Sequence, residues 1–209
     1  MLSIIQAAGW PIWPLILCSV VALALVVERA LALRRMRIAP PSLVDEVLSL
    51  TRQGVPTPEM LNVLASSCVF GMVLAQGLRG ILTNPRLGEA GLRQIFEMAG
   101  KHAAHQMERY LSALAAIASA APLLGLLGTV IGMIEIFGAQ TSGGGNPAQM
   151  AHGISIALYN TAFGLMVAIP SLLAWRYFRA RVDGFLHEME QGCERVVAEW
   201  LAPKPASTT

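Results

Sequence analysis

Two threonines carry the chemistry that this sequence can offer at depth in a membrane. Thr129 and Thr161 each stand near the middle of a long uncharged stretch, and Asn160 lies beside the second. A threonine hydroxyl can close on a carbonyl of its own helix and do nothing else, or it can line a polar passage or meet a partner helix. Around Thr129, small side chains recur every three or four residues at Ala118, Ala121, Gly125, Gly128 and Gly132. Around Thr161, the same rhythm runs through Ala157, Gly164, Ala168 and Ser171. Small residues let helix backbones approach closely in lipid, where packing drives association. Both strips are therefore helix-packing faces, and the hydroxyls on them are the candidates for a polar passage. Pro122 and Pro170 each remove a ladder hydrogen bond, so kinks are expected near the hydroxyls.

What the two stretches lack is as informative. Neither has an Asp, Glu, Lys, Arg or His in its central turns. A proton relay across hydrocarbon needs a titratable group at mid-depth. Glu135 falls too near one end of its stretch, and Glu28 too near the end of an earlier one, to serve alone. Any carboxylate in an ion path must then come from another subunit.

The elements that position these residues follow from charge and hydropathy. With 13% charged residues and a mean hydropathy of +0.56, the chain departs from soluble domains, in which about 25% of residues are charged. Residues 1–28 hold no Lys or Arg, nor does the stretch from Tyr110 to Trp175, whereas 29–109 holds ten and 176–204 holds five. Cytoplasmic segments retain Lys and Arg, so this asymmetry predicts three spans with the amino terminus outside. About 20 residues cross the hydrocarbon. The expected order is an outer segment over 1–9, spans at 10–33, 110–137 and 153–175, and an outer loop over 138–152. Cytoplasmic segments cover 34–109 and 176–209, the latter a helix and tail. Trp10 and Trp13 mark the outer interface, Arg34, Arg35 and Arg37 the inner one, and Glu28 and Arg29 are expected to snorkel to headgroups. A cleaved signal peptide is disfavoured, because no basic region precedes the first apolar run.

The cytoplasmic parts read as helices. Ser42 is an expected N-cap for a helix over 43–52 that stops before Gly54. Thr57 or Pro58 opens a longer helix ending near Asn84-Pro85; within it Ser66 to Leu78 is apolar but too short to span, which predicts a buried helix. From Gly88 a single helix is expected to continue into the second span. In the tail, Val182, Leu186, Met189, Cys193, Val196 and Trp200 recur at helical spacing. These faces must pack on one another or on further copies of the chain. PKPASTT reads as a disordered end.

Several other sites are set aside. GLLGTVIG lies inside a span, without the preceding strand that a phosphate-binding loop needs. His102 and His105 lack further metal ligands and fit a solvated face. Ser155 and Ser171 have no accompanying His or Lys at membrane depth, which disfavours an intramembrane serine hydrolase. Cys18, Cys68 and Cys193 offer no pair in an oxidising compartment. No basic run is interleaved with aromatics, so no nucleic acid is expected. Arg176, Arg179, Arg181, Glu108 and Arg109 belong to the inner interface, where some can hold anionic lipid. Neither an enzymatic activity nor a cofactor is expected.

The runs APLLGLLGTVIGMIEIF (Ala121 to Phe137) and GISIALYNTAFGLMVAIPSLLAWRYF (Gly153 to Phe178) resemble the ExbB/TolQ/MotA family of stator subunits, and ERALALRR (Glu28 to Arg35) is similar to the end of the first span in ExbB-type members. The resemblance implies an all-α integral membrane protein whose long helices extend into the cytoplasm, assembled as a homopentamer around a pore. It also implies a single-span partner, ExbD or TolR, inside that pore, whose membrane Asp faces Thr129 and Thr161. The complex would use proton-motive force to drive TonB or TolA in the bacterial inner membrane. Relatives usually carry Glu five residues before the third-span Thr, where this chain has Ile156. Three spans favour ExbB or TolQ over the four-span flagellar branch. Two functions are therefore weighed: a proton-driven motor subunit of ExbB or TolQ type, and a passive channel or scaffold, to which Ile156 lends weight.

Overall fold

The computed structural model describes residues 10–53, 56–84, 87–140 and 147–201. The expectations for 1–9, Gly54, Pro85, the middle of the outer loop (141–146) and the PKPASTT end fall outside the described residues, as does the side chain of Ile156, while both ends of that expected loop, 138–140 and 147–152, are helical. Among the described residues every regular element is an α-helix. In chain order these are α1 (Ile12–Ala32), α2 (Arg35–Ile38), α3 (Leu43–Gln53), α4 (Pro58–Ser67), α5 (Val69–Thr83), α6 (Glu89–Glu108), α7 (Leu111–Gln140) and α8 (Pro147–Leu201). Three of them, α1, α7 and α8, are long and apolar enough to cross a membrane. The chain divides into two compact units, one of 1–30 and 110–178 and one of 31–109 and 179–209, with α8 contributing to both.

The first unit contains α1, α7 and the first part of α8. Its core is thin: Leu15 of α1 packs with Ala121 and Ala168, flanked by Leu124, Phe163 and Val167. Most of its large apolar residues, among them Leu17, Leu126, Val130, Ile134, Leu165 and Leu173, are exposed in the single chain. Such a surface suits lipid or further helices, not water. Both prolines expected to kink the spans, Pro122 and Pro170, lie inside uninterrupted helices.

The second unit is held together by buried apolar side chains. The expected buried helix is α5, whose Phe70, Val73, Leu74, Leu78 and Ile81 are all buried. The Phe96 ring of α6 occupies the space that a side chain at Gly77 would need, and Gly192 of α8 is covered by Phe70 and Val44. Of the tail stripe, Val182, Met189, Cys193 and Val196 are buried and Leu186 and Trp200 half-buried, with Phe185 and Val197 buried beside them. Around it run ion pairs to other helices, Arg35–Glu188 at 3.2 Å, Arg93–Glu194 at 2.8 Å and Arg195–Asp45 at 2.7 Å.

Three expectations are corrected. The helix from Thr57 is two helices, α4 and α5, because Cys68 is extended (φ −162°, ψ 170°). Thr57 caps the first through its side chain, which accepts from the Met60 amide, and the Cys68 thiol accepts from the Gly71 amide at 3.2 Å. The helix from Gly88 stops at Glu108, and Tyr110 takes a left-handed φ of 68° before α7 begins. A non-glycine residue there is uncommon, and neither Gly nor Pro marks the break in the sequence. The third concerns Arg29, which does not reach outward. It is 5% exposed, pairs with Glu28 at 2.5 Å and places its guanidinium 5.3 Å from the centre of the Tyr110 ring. A neighbouring acid and an aromatic face compensate the buried charge better than a long reach to headgroups.

Candidate functional site

The small residues of α7 and α8 face each other. A Cβ added at Gly125 would stand 2.7 Å from the carbonyl oxygen of Asn160 and 3.0 Å from the Thr161 Cα. One at Gly128 would meet the Asn160 side chain at 2.8 Å, and one at Gly132 would stand 3.1 Å from the Ala157 Cβ. From the other helix, a Cβ at Gly164 would lie 2.6 Å from the Ala121 carbonyl oxygen. As the α7 number falls, its α8 partner rises, so the helices run antiparallel along a seam of direct backbone contact. Ala157, Asn160, Gly164 and Ala168 are buried in it, and Ser171 donates to its own helix at the Val167 carbonyl, 2.7 Å.

The seam has two unlike flanks. Leu124 precedes Gly125 by one residue, and Phe163 and Val167 follow Ala157 by six and ten, so all three are rotated to one side, by about 80–120° from the seam. That flank is where Leu15 of α1 packs. Thr129 follows Gly125 by four residues and Thr161 follows Ala157 by four, a rotation of about 40° in the opposite sense on each helix. Equal rotations in an antiparallel pair bring both threonines to the same flank, the one away from α1. Gly125 also meets Thr161 across the seam, so the two hydroxyl residues stand within a turn of the same level.

Both threonines are half-buried. Thr129 donates its proton to the Leu126 carbonyl at 2.7 Å, which leaves the oxygen's acceptor capacity available. An open groove beside it is lined by Val130, Met133, Ile134, Phe137 and Gly138. Pro122 lies half-buried on the same flank. No acid, base or metal cluster joins these residues: among the described residues no group of three His, Cys, Asp or Glu is placed to hold a metal. His102 and His105 are exposed, and the His102 ring lies 3.3 Å from the Gln106 amide.

The site residues named from sequence thus divide into three roles. Gly125, Gly128, Gly132, Ala157, Gly164 and Ala168 bring the backbones together, Asn160 fills the seam opposite Gly128, and Thr129 and Thr161 mark the open flank. Sequence reasoning missed Leu124, Phe163 and Val167 as the seat of α1. Their signal was available, since the bulky residues at 163 and 167 are one turn apart on the side away from Thr161.

Residues 67–191 match the MotA/TolQ/ExbB proton channel family. The chain is 30% identical over 192 residues to the biopolymer transport protein exbB1 of Vibrio cholerae, covering 88% of this chain and 82% of that one. An ExbB-like biopolymer transport protein of Synechocystis is 29% identical over 178 residues, covering 84% of this chain and 83% of its own. The Tol-Pal system protein TolQ of Pseudomonas aeruginosa is 37% identical over 94 residues, 44% of this chain and 41% of that one. An all-α chain with three helices able to cross a membrane, matched over more than half its length, belongs to the MotA/TolQ/ExbB proton channel family as a multi-pass membrane subunit.

Proposed function

We propose that this chain is the inner-membrane subunit of a proton-motive-force-driven motor of ExbB–ExbD type, which energises TonB-dependent transport across the outer membrane. The observation that carries it is the pair of hydroxyl residues on the flank of the α7–α8 seam that α1 leaves open, in a membrane unit without a central carboxylate. Such a flank suits a partner helix that brings the acid. Thr129 and Thr161 then face the Asp of an ExbD- or TolR-like single-span subunit, and a TonB- or TolA-like protein takes up the motion. Further copies of the chain cover the remaining apolar surface as a homopentamer around the pore, with lipid outside. The basic residues, absent from 1–28 and 110–175, support an amino terminus in the periplasm and a carboxyl terminus in the cytoplasm.

Thr161→Val keeps the shape of the side chain and removes the hydroxyl. Transport should fall about tenfold, the equivalent of one lost hydrogen bond of ~1.4 kcal/mol, while the oligomer stays intact in detergent. Unchanged transport in that variant would count against the proposal. A TolQ-type role is the second reading, favoured by the similarity to TolQ of Pseudomonas aeruginosa. Deleting the gene separates the two: loss of TonB-dependent uptake supports the ExbB type, and loss of outer-membrane integrity the TolQ type.

A further inference from the structure

Some hydroxyls of the first unit take no part in the seam, Ser119 and Ser155 among them. Ser119 is an exposed residue of α7, and its Oγ donates to the helix's own carbonyls, 3.1 Å from Ala115 and 3.0 Å from Ala116. Its single proton is thereby used within the helix, and the oxygen presents its acceptor side outward. Ser119, Pro122, Leu126 and Thr129 follow one another at steps of three, four and three, the spacing that stacks residues along one side of a helix. Ser119 therefore shares the α1-free side with Thr129, about 15 Å further along α7.

A second, independent feature stands at the same level. Pro122 lies inside α7 and has no N–H, so it cannot donate to the Ala118 carbonyl one turn back. The backbone ladder is one donor short beside Ser119. In hydrocarbon, backbone and side-chain acceptors of this kind are tolerated where water or protein donors reach them. Two acceptors, one from a side chain and one from the backbone, thus belong to adjacent residues of α7, Ser119 and Ala118.

We propose that Ser119 and the Ala118 carbonyl form a second polar station of the ion path, which holds hydrogen-bonded water between the threonine pair and the inner end of α7. The proposal rests on the proton-motor reading and extends it from the level of Thr129 and Thr161 toward the cytoplasm. The water carries the proton; the serine accepts a hydrogen bond from it and undergoes no net chemistry.

Cysteine accessibility in membranes of cells making the complete system tests it. The background is cysteine-free, with Cys18→Ala, Cys68→Ser to keep the α5 cap, and Cys193→Val. Ser119→Cys is compared with Ala113→Cys, an exposed position a third of a turn away and nearer the inner end. A charged methanethiosulfonate should modify Cys at 119 at least about tenfold faster, because thiolate attack needs an aqueous approach. Equal, slow modification at both positions would overturn the proposal. Thr129→Cys separates this failure from that of the underlying reading: labelling at 129 but not 119 sinks the second station alone, and labelling at neither sinks both. In the native cysteine background, Ser119→Val should lower transport severalfold, and Ser119→Thr should restore it. Full transport by the valine variant would likewise overturn the role.

Discussion

The two units of this chain solve the same problem, holding helices together, by opposite means. In the first unit, α7 and α8 meet through glycine and alanine, so that carbonyl oxygens and Cα atoms of one helix touch the other. In the second unit the glycines at 77, 80 and 192 are filled by Phe96, Ile95 and Phe70, and the helices meet through interlocking side chains. Ion pairs divide the same way. Arg35 and Arg93 reach acids of the tail, and Arg195 of the tail reaches Asp45 of α3, whereas the first unit keeps its Arg29–Glu28 pair at the end of α1. The difference follows from solvent. In water, burial of large apolar side chains drives packing. In lipid that gain is absent, and close backbone approach replaces it.

Substitutions in each unit put this contrast to the test. The largest effect is expected from Phe96→Ala, which empties the space over Gly77 and should cost the second unit about 3–4 kcal/mol, read as a fall in its denaturant midpoint. Gly125→Val should cost the first unit about 2–3 kcal/mol by forcing a side chain against the Asn160 carbonyl. Its readout is loss of detergent-stable oligomer, and a variant as stable as the parent would mean the seam is looser than its distances imply.

The buried thiol of the second unit gives a pH test. Burial, reinforced by Glu194 and Glu190, pushes Cys193 up from 9.0 to about 12. The unfolded chain releases this proton first, so its contribution is intact below pH 9 and is lost as pH rises toward 12. Stability should fall by up to about 1.4 kcal/mol per pH unit in that window, and Cys193→Val should flatten the slope. The thiol should also resist alkylation at pH 8 until the protein is unfolded. Smallest of all is Arg195→Ala, which removes an exposed pair with Asp45 and should change stability by under about 0.5 kcal/mol. A larger loss would show that the tail depends on its charges as well as on its apolar stripe.

Much of the fold was legible because its signals are local. Uncharged runs of 20 or more residues, the Thr57-Pro58 cap and the tail periodicity through Val182, Met189 and Val196 each depend on neighbours within a few turns. The break at Tyr110 was not legible, since a tyrosine at φ 68° has no marker in sequence. Its partner, Arg29, lies far away in the chain. The split at Cys68 was hidden for a related reason: a thiol acting as an N-cap looks like one more apolar residue. In the site, the strips of small residues announced close helix contact. Which helix each strip would meet was not in the pattern.

Residue order alone is enough to make this an all-helical membrane chain, with hydroxyls but no central acid in its spans. Those properties are sums over adjacent residues, fixed by hydropathy and helical period. Folding in three dimensions is what seats α1 on Leu124, Phe163 and Val167 and so leaves the threonine flank open. That choice belongs to packing between segments far apart in the chain, where shape at contact distance selects one side of the seam and periodicity does not.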